Sequence, residues 1–393
     1  MHGGTSNHFG GCNVTAQLVN TVGSRRKTSR LRLFLGGLGI FALLAGLWAG
    51  LILLKLDVPS PRAHFEDVHG PLMVLGFFGT LITLERAVAL GYRAGYLAPS
   101  LSGLGGVALI SGLPLIVGES LLALAGFGLV ALYVGASRRQ MSLHIAVMAV
   151  GAFAWVVAVL AWISGRDVAL LVPLLAAFLV LTIAGERLEL ARVIRVTGQA
   201  RVSFVIAGGI FAFGVTLSLA TASLGVRIAG VGLVGLAAWL AKHDVARRTV
   251  RQSGLTRYMA VCLLTGYAWL AIGGLLWLFF GNLSDGAAFD AMLHAIFLGF
   301  VMGMVFAHAP VIVPAVFHAA VPYRSRFYWH FFLLHFSLLL RIIGGDLAAN
   351  RLCWQIGGVL NELAVLVFIA STGIAVAQGR KNGISLIDSQ VER

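Results

Sequence analysis

Eleven histidines stand in a chain of 393 residues, of which only 11% carry a formal charge. Ionisable side chains are costly inside a membrane, so a histidine within an apolar stretch faces a cavity, a partner or a cofactor by default. His2, His8 and His243 lie in polar or basic segments and suit a solvated surface. The other eight are the candidates for chemistry. They are His64, His69, His144, His294, His308, His318, His330 and His335.

His69 and His294 form the most informative pair. Each stands near the start of an apolar segment rich in small residues, and the two segments run in the same direction along the alternating chain. Both imidazoles are therefore expected at similar depth in the outer part of the bilayer, where they could bind opposite faces of one haem. A histidine that hydrogen-bonds to a nearby aspartate at the interface is the alternative. The chain has no Cys-Xaa-Xaa-Cys-His motif, so we expect a b-type haem.

Arg341 follows three leucines, about one turn from the outer end of its apolar segment. A buried arginine needs an anion, and haem propionates offer one with bidentate geometry. Asp346 and Asp290 are the protein groups that could serve instead. Arg341 is therefore either a second cofactor-binding residue or half of a salt bridge.

A second group of histidines follows His294. His308 is 14 residues further on, ~21 Å along a helix, so these two share a face without sharing one metal ion. The next segment returns antiparallel, which brings His330 toward the depth of His308 and leaves His335 nearer mid-membrane. We therefore predict His335 as a further cofactor ligand of the outer site. His308, His330 and His318 are candidates for inner metal ligands, with copper as the candidate metal.

Two Glu-Arg pairs, Glu85-Arg86 and Glu186-Arg187, stand near the inner ends of their segments. They could form a proton path or interfacial salt bridges. Because these pairs and the histidine pair fall on the second, sixth and tenth segments, the sequence hints at a four-helix period. Three such units would give a pseudo-threefold arrangement.

Twelve apolar stretches could position these residues. Crossing a ~30 Å hydrocarbon core takes about 20 residues, and no strand-like alternation occurs, so we predict an all-α integral membrane protein of about twelve transmembrane helices. The stretches are 31–54, 69–90, 97–118, 119–136, 141–163, 167–187, 202–223, 225–242, 256–280, 288–316, 325–345 and 352–377. We expect a disordered cytoplasmic tail over 1–29, a single transmembrane domain over 30–380 and a cytoplasmic tail over 381–393.

Basic residues set the expected orientation. With twelve crossings, 23 of the 29 lysines and arginines fall on the side of the N-terminus and six on the other. Because cytoplasmic loops carry the excess of basic residues, both termini are predicted in the cytoplasm, and a bacterial inner membrane is the expected location. The formal net charge of +14 is therefore topological, and it indicates lipid rather than nucleic acid as the partner.

The stretch from His294 to Asp346 resembles the NnrS family. The similarity lies in Met292-Leu293-His294-Ala295, the following glycines with Met304, Phe317-His318-Ala319 and Leu340-Arg341-Ile342, together with Asp67-Val68-His69 and Met73. Members of that family are twelve-helix membrane proteins that contain haem and copper and are linked to nitric-oxide metabolism. The resemblance implies a haem-binding and copper-binding protein that acts in the response to nitric oxide, or in its turnover.

Two other classes stay open. The large subunit of haem–copper oxidases is distantly similar, which would make the chain an oxidoreductase that takes electrons from quinol. However, the chain has no His-His pair, and its sixth and seventh apolar stretches contain no histidine. Twelve helices also suit a transporter without a cofactor.

Overall fold

The computed structural model describes residues 11–191 and 197–391, and the side chains of 30–191 and 197–379. Within these ranges the chain forms helices and connecting loops, without a strand. The helices are α1 (Gly11–Leu53), α2 (Phe65–Leu90), α3 (Leu97–Ile110), α4 (Leu115–Arg139), α5 (Leu143–Ile163), α6 (Val168–Ala191), α7 (Gly198–Leu217), α8 (Ala222–His243), α9 (Gly254–Phe280), α10 (Gly286–Phe317), α11 (Phe327–Leu347) and α12 (Arg351–Val391).

Eleven of these helices are long and apolar enough to cross a membrane, counted over the described residues. The prediction of an all-α protein with many membrane-spanning helices is confirmed. The exception is α3, whose 14 residues give a length of ~21 Å, short of the ~30 Å hydrocarbon core.

The predicted boundary between the third and fourth stretches, at 118 and 119, is wrong. Helix α3 ends at Ile110 and α4 begins at Leu115. Gly112 between them adopts a φ of 76°, a left-handed conformation that glycine reaches without steric cost. Pro114 then precedes the first residue of α4, a position where its missing N–H costs no helical hydrogen bond. Hydropathy alone could not locate this turn, because apolar residues continue on both sides of it.

Helices α3 and α4 nevertheless form an antiparallel hairpin. Arg139, the last residue of α4, donates from Nη1 to the carbonyl oxygen of Leu90 at 3.4 Å. Its guanidinium carbon also lies 4.4 Å from the ring centroid of Tyr92. Leu90 is the last residue of α2 and Tyr92 lies in the loop before α3, so α4 returns to the level from which α3 departs.

The first and last helices extend beyond the predicted domain limits. Helix α1 begins at Gly11 and α12 continues to Val391, whereas the sequence favours a disordered tail over 1–29 and places a cytoplasmic tail over 381–393. Neither extension contains a proline, so nothing sterically interrupts a helix that continues from a membrane span. The first ten residues lie outside the described part of the chain.

Three helices meet inside the bundle. Arg86 near the end of α2 pairs with Glu186 on α6, and α10 packs against both helices. We call the end where these helices finish the basic end, since it carries most of the lysines and arginines, and the end where they begin the cavity end. The pseudo-threefold arrangement itself stays a prediction.

Candidate functional site

A large cavity, mainly apolar but with several charged and polar side chains, lies at the cavity end of the bundle, between α1, α2, α4, α5, α6, α10, α11 and α12. Its volume of about 1460 Å³ exceeds the ~300–1,000 Å³ of ordinary small-molecule pockets. We call it the histidine cavity, because His69 and His294 both line it. The sequence predicted that these two side chains would lie together, and the structure brings them to one cavity.

His69 stands in the first turn of α2 and contacts α1. Its Nδ1 lies 2.7 Å from the carbonyl oxygen of Gly46. A carbonyl can only accept, so Nδ1 carries the proton and donates. Nε2 then holds a lone pair, and it has no hydrogen-bond partner among the described residues. Two glycines allow this approach. A Cβ added at Gly46 would meet the sulfur of Met73 at 2.7 Å, and one at Gly50 would meet Glu362 Oε1 at 2.7 Å and His69 Cε1 at 3.3 Å.

His294 is held in a similar way on α10. Its Nδ1 lies 2.8 Å from the backbone oxygen of Asp290, one turn earlier, and 3.3 Å from Oδ1 of the same residue. Nε2 is again without a partner in the part of the chain that the structure describes. An acceptor on one ring nitrogen fixes the tautomer and the ring orientation, and it leaves the other nitrogen available as a ligand.

Both histidines precede a wide helical turn. A π-helical segment covers Leu72–Phe78 in α2 and another covers Ala295–Met302 in α10. Such segments add a residue to the turn, and they occur frequently at functional sites. Met73 and Met302, one from each segment, also line the histidine cavity. The shared backbone irregularity is a feature that hydropathy patterns do not reveal.

Arg341 has a protein partner. Its Nε and Nη2 donate to Oδ2 and Oδ1 of Asp290, both at 2.7 Å. Trp354 Nε1 donates to the same Oδ2 at 3.2 Å, and the Arg341 guanidinium lies 5.7 Å from the Trp354 ring centroid. The salt-bridge alternative is therefore what the structure shows, with Asp290 and not Asp346 as the anion. The bidentate geometry expected for propionates is already used by this carboxylate.

The histidine cavity also contains carboxyl groups that sequence reasoning did not single out. Glu119 on α4, 5% exposed, and Glu362 on α12 line it, and neither forms an ion pair with a described side chain. Asn361, beside Glu362, lines the same wall. A carboxyl or amide within an apolar segment is the signal that could have identified them, because such groups are rare in membrane helices and tend to be functional.

Four basic side chains line the cavity: Lys55, Arg166 and Arg351 are exposed, and Arg62 is half-buried. Arg62 differs from the others because its Nε is buried and has no acceptor within the described residues. This N–H group can therefore donate to an anionic partner without breaking an existing contact.

His335 and His330 lie in the packed interior of α11. Trp269 Nε1 donates to Nδ1 of His335 at 3.0 Å, and Phe331 packs at 4.4 Å between ring centroids. His335 does not line the histidine cavity, so the structure does not bring it to the predicted outer site. His330 contacts the hydroxyls of Tyr258 at 2.9 Å and Ser371 at 3.3 Å. Both of its ring nitrogens are thus engaged in core hydrogen bonds.

His308 and His318 do not lie together in one site with the other candidate metal ligands. His308 Nδ1 lies 2.6 Å from the backbone oxygen of Met304. His318 ends α10 with a φ of 54°, and its Nε2 lies 3.1 Å from Arg32 Nη1. Among the described residues, no three histidine, cysteine, aspartate or glutamate side chains form a group that could hold a metal ion. The inner metal site therefore stays a prediction without an assembled ligand set.

These features define the class of the protein, a multi-span α-helical membrane protein with a large cavity at one end of its bundle. The chain belongs to the family described as Domain of unknown function (DUF8744), whose model matches residues 30–377. No curated protein and no solved structure matches the chain. The resemblance to the NnrS family therefore stays a prediction.

Proposed function

We propose that the protein binds a b-type haem in the histidine cavity, with His69 and His294 as the iron ligands. The observation that carries the proposal is the matched state of the two imidazoles. In each, Nδ1 is fixed by a backbone oxygen and Nε2 is free on a common cavity. Iron binds the unprotonated nitrogen of an imidazole, and a donor at Nδ1 on each ring leaves Nε2 as the nitrogen that could take this role.

The surroundings of the pair fit a large, flat and partly charged group. The cavity is large, its wall is mainly apolar, and glycines on α1 bring the backbone close to His69. Arg62 is the best candidate for a propionate partner, because its Nε lacks an acceptor, whereas Arg341 is held by Asp290. A haem would supply an iron centre that binds small diatomic molecules or passes single electrons.

The finer function follows the NnrS resemblance. We propose a role in the response to nitric oxide or a related small molecule, or in its turnover, at a bacterial inner membrane with both termini in the cytoplasm. The charge asymmetry between the two ends supports this orientation. Copper is a further metal that the cavity could bind, since thioethers and imidazoles both suit it and Met73 and Met302 line the same walls.

A cofactor-free transporter is the competing function, and one observation favours it. Glu119 and Glu362 line the cavity without a cationic partner on the described chain. Unpaired carboxyls at membrane depth are typical of ion and substrate pathways. A cavity that opens toward one end of a helical bundle is also the form that a transporter takes on one side of its cycle.

Haem content separates these two functions. The full chain is purified in detergent from cells supplied with haem, and bound haem per protein is measured after extraction. We expect about one haem per wild-type chain and a loss of at least half in His69→Ala and in His294→Ala. His318→Ala is the matched control, because this histidine lies at the other end of α10, and it should retain haem. A wild-type protein without haem would reject the proposal and leave the transporter.

A further inference from the structure

A second polar cluster lies at the basic end. Two of its helices, α2 and α10, also carry His69 and His294. It joins α2, α4, α6, α9 and α10 with the loop that follows α8, and we call it the basic-end cluster. Its members are Glu85, Arg86, Tyr133, Glu186, Arg187, Asp244, Tyr267 and His308. These are the titratable and charged groups that face one another there. Charged side chains this deep in a membrane protein are expensive and mark function by default.

Two ion pairs form the framework of the cluster. Arg86 pairs with Glu186 through Nη2, and the same nitrogen lies 3.5 Å from Glu85 Oε1. Arg187 lies 3.9 Å from Asp244, and the two side chains are 8% and 3% exposed. Burying such a pair costs desolvation free energy, which the attraction between the two charges offsets only where the geometry is excellent. Stability alone therefore does not explain why these charges are inside.

Four buried polar atoms of the cluster have no hydrogen-bond partner within the described residues. They are Arg86 Nε, Arg187 Nε, the Tyr133 hydroxyl and His308 Nε2. Buried donors and acceptors are almost always satisfied, and internal water is the usual partner where the protein supplies none. Four such atoms in one cluster therefore indicate internal water as their hydrogen-bond partner.

The charges of the cluster do not balance. It contains two guanidinium groups, which stay protonated, and three carboxyl groups. Glu186 is paired directly with Arg86. Asp244 receives the Tyr267 hydroxyl at 2.8 Å and the backbone N–H of Ala246 at 2.7 Å, besides Arg187. Glu85 has only the 3.5 Å approach to an arginine that Glu186 already uses.

The other groups cannot easily take the excess proton. His308 donates from Nδ1 to a backbone oxygen. A proton on Nε2 would place a second cation near the Arg187 guanidinium, with water rather than a described side chain as its acceptor. Asp244 already accepts two hydrogen bonds, from Tyr267 and Ala246, and lies 3.9 Å from Arg187. From geometry and charge we infer that the basic-end cluster is a hydrated proton-binding site, with the exchangeable proton on Glu85. This inference is independent of haem in the histidine cavity.

Substitution by the neutral isosteres tests the assignment. If Glu85 is protonated, Glu85→Gln preserves its charge and shape, so the thermal unfolding temperature of the full chain at pH 7 should stay that of the wild type. Glu186→Gln removes the direct partner of Arg86 and should lower the unfolding temperature by several degrees. Infrared spectra should show a protonated-carboxyl band in the wild type that shifts in D₂O and is smaller by one carboxyl in Glu85→Gln.

The control is Asp67→Asn, whose exposed side chain (70%) should leave the protonated-carboxyl band unchanged. Loss of the band together with unchanged stability supports the inference. A band of wild-type size in Glu85→Gln would overturn it. So would a Glu85→Gln protein that is as unstable as Glu186→Gln or fails to fold, because either result means that Glu85 is an ionised partner of Arg86.

Discussion

Replacing Asp290 by asparagine tests the ion pair that the structure assigns to Arg341. The carboxylate receives two hydrogen bonds of 2.7 Å from the guanidinium and one of 3.2 Å from Trp354. Removing one partner of a buried pair generally costs ~3–5 kcal/mol. The Asp290 side chain is 18% exposed and Arg341 9%, and asparagine keeps one acceptor oxygen. We therefore expect the lower end, a loss of about 3 kcal/mol.

The assay is equilibrium unfolding of the purified full chain in mixed detergent micelles, read as the free energy of unfolding. The double variant Asp290→Asn with Arg341→Met removes the stranded charge as well. It should recover about 2 kcal/mol of the loss, since replacing both members of a buried pair is often nearly neutral. Asp285→Asn, an exposed aspartate at the same end of α10 without an ion pair in the described chain, should stay within ~0.5 kcal/mol of the wild type.

The pairing is refuted if Asp290→Asn is as stable as Asp285→Asn. Arg341 would then be free for another anion, and a propionate would again be its best partner. If the pairing is correct, Asp290→Asn should still bind haem, because the hydrogen bond from His294 to the backbone oxygen of residue 290 does not depend on that carboxylate.

Three further outcomes are expected. Gly50→Val should lower haem content as strongly as loss of a ligand, because the added carbons meet Glu362 and the ring of His69. Gly37→Val, where an added Cβ meets nothing, should not, and equal haem in both variants would contradict the packing. His330→Phe should cost ~1–3 kcal/mol of unfolding free energy, because it leaves the buried Tyr258 hydroxyl without its partner, and it should keep the haem spectrum. A lost spectrum would make this histidine a ligand. Reporter fusions in loop 111–114 should lie outside the cytoplasm, and a cytoplasmic signal would show that the short α3 does not cross.

Most of the fold follows from hydropathy. Stretches of about 20 apolar residues correspond to helices because the bilayer leaves the backbone no other way to satisfy its polar groups. The boundary at Gly112 was missed since one glycine and one proline decide it within an unbroken apolar run. The helical extension of α1 was also missed, because polar composition indicates exposure to water and not the absence of a helix.

The candidate site was predictable in part. Equal depth on helices that run in the same direction was enough to predict that His69 and His294 lie together. The position of His335 in the packed interior, away from the histidine cavity, was not predictable. It depends on the azimuth of α11 and on Trp269, which donates a hydrogen bond to its Nδ1. The partner of Arg341 was left open since Asp290 and Asp346 lie at similar depth, and only side-chain geometry separates them. Glu362 was not singled out, although a lone carboxylate in the apolar stretch 352–377 could have identified it.

Chemical rescue tests the central claim most directly. In His69→Gly the deleted imidazole leaves a space that free imidazole can fill, and the same holds for His294→Gly. If both histidines are iron ligands, each variant should lose the low-spin absorption spectrum of the reduced and oxidised haem, and added imidazole should restore it. His330→Gly should neither lose the spectrum nor respond to imidazole. An unchanged low-spin spectrum in His69→Gly or His294→Gly, or no rescue in either, would contradict ligation by this pair.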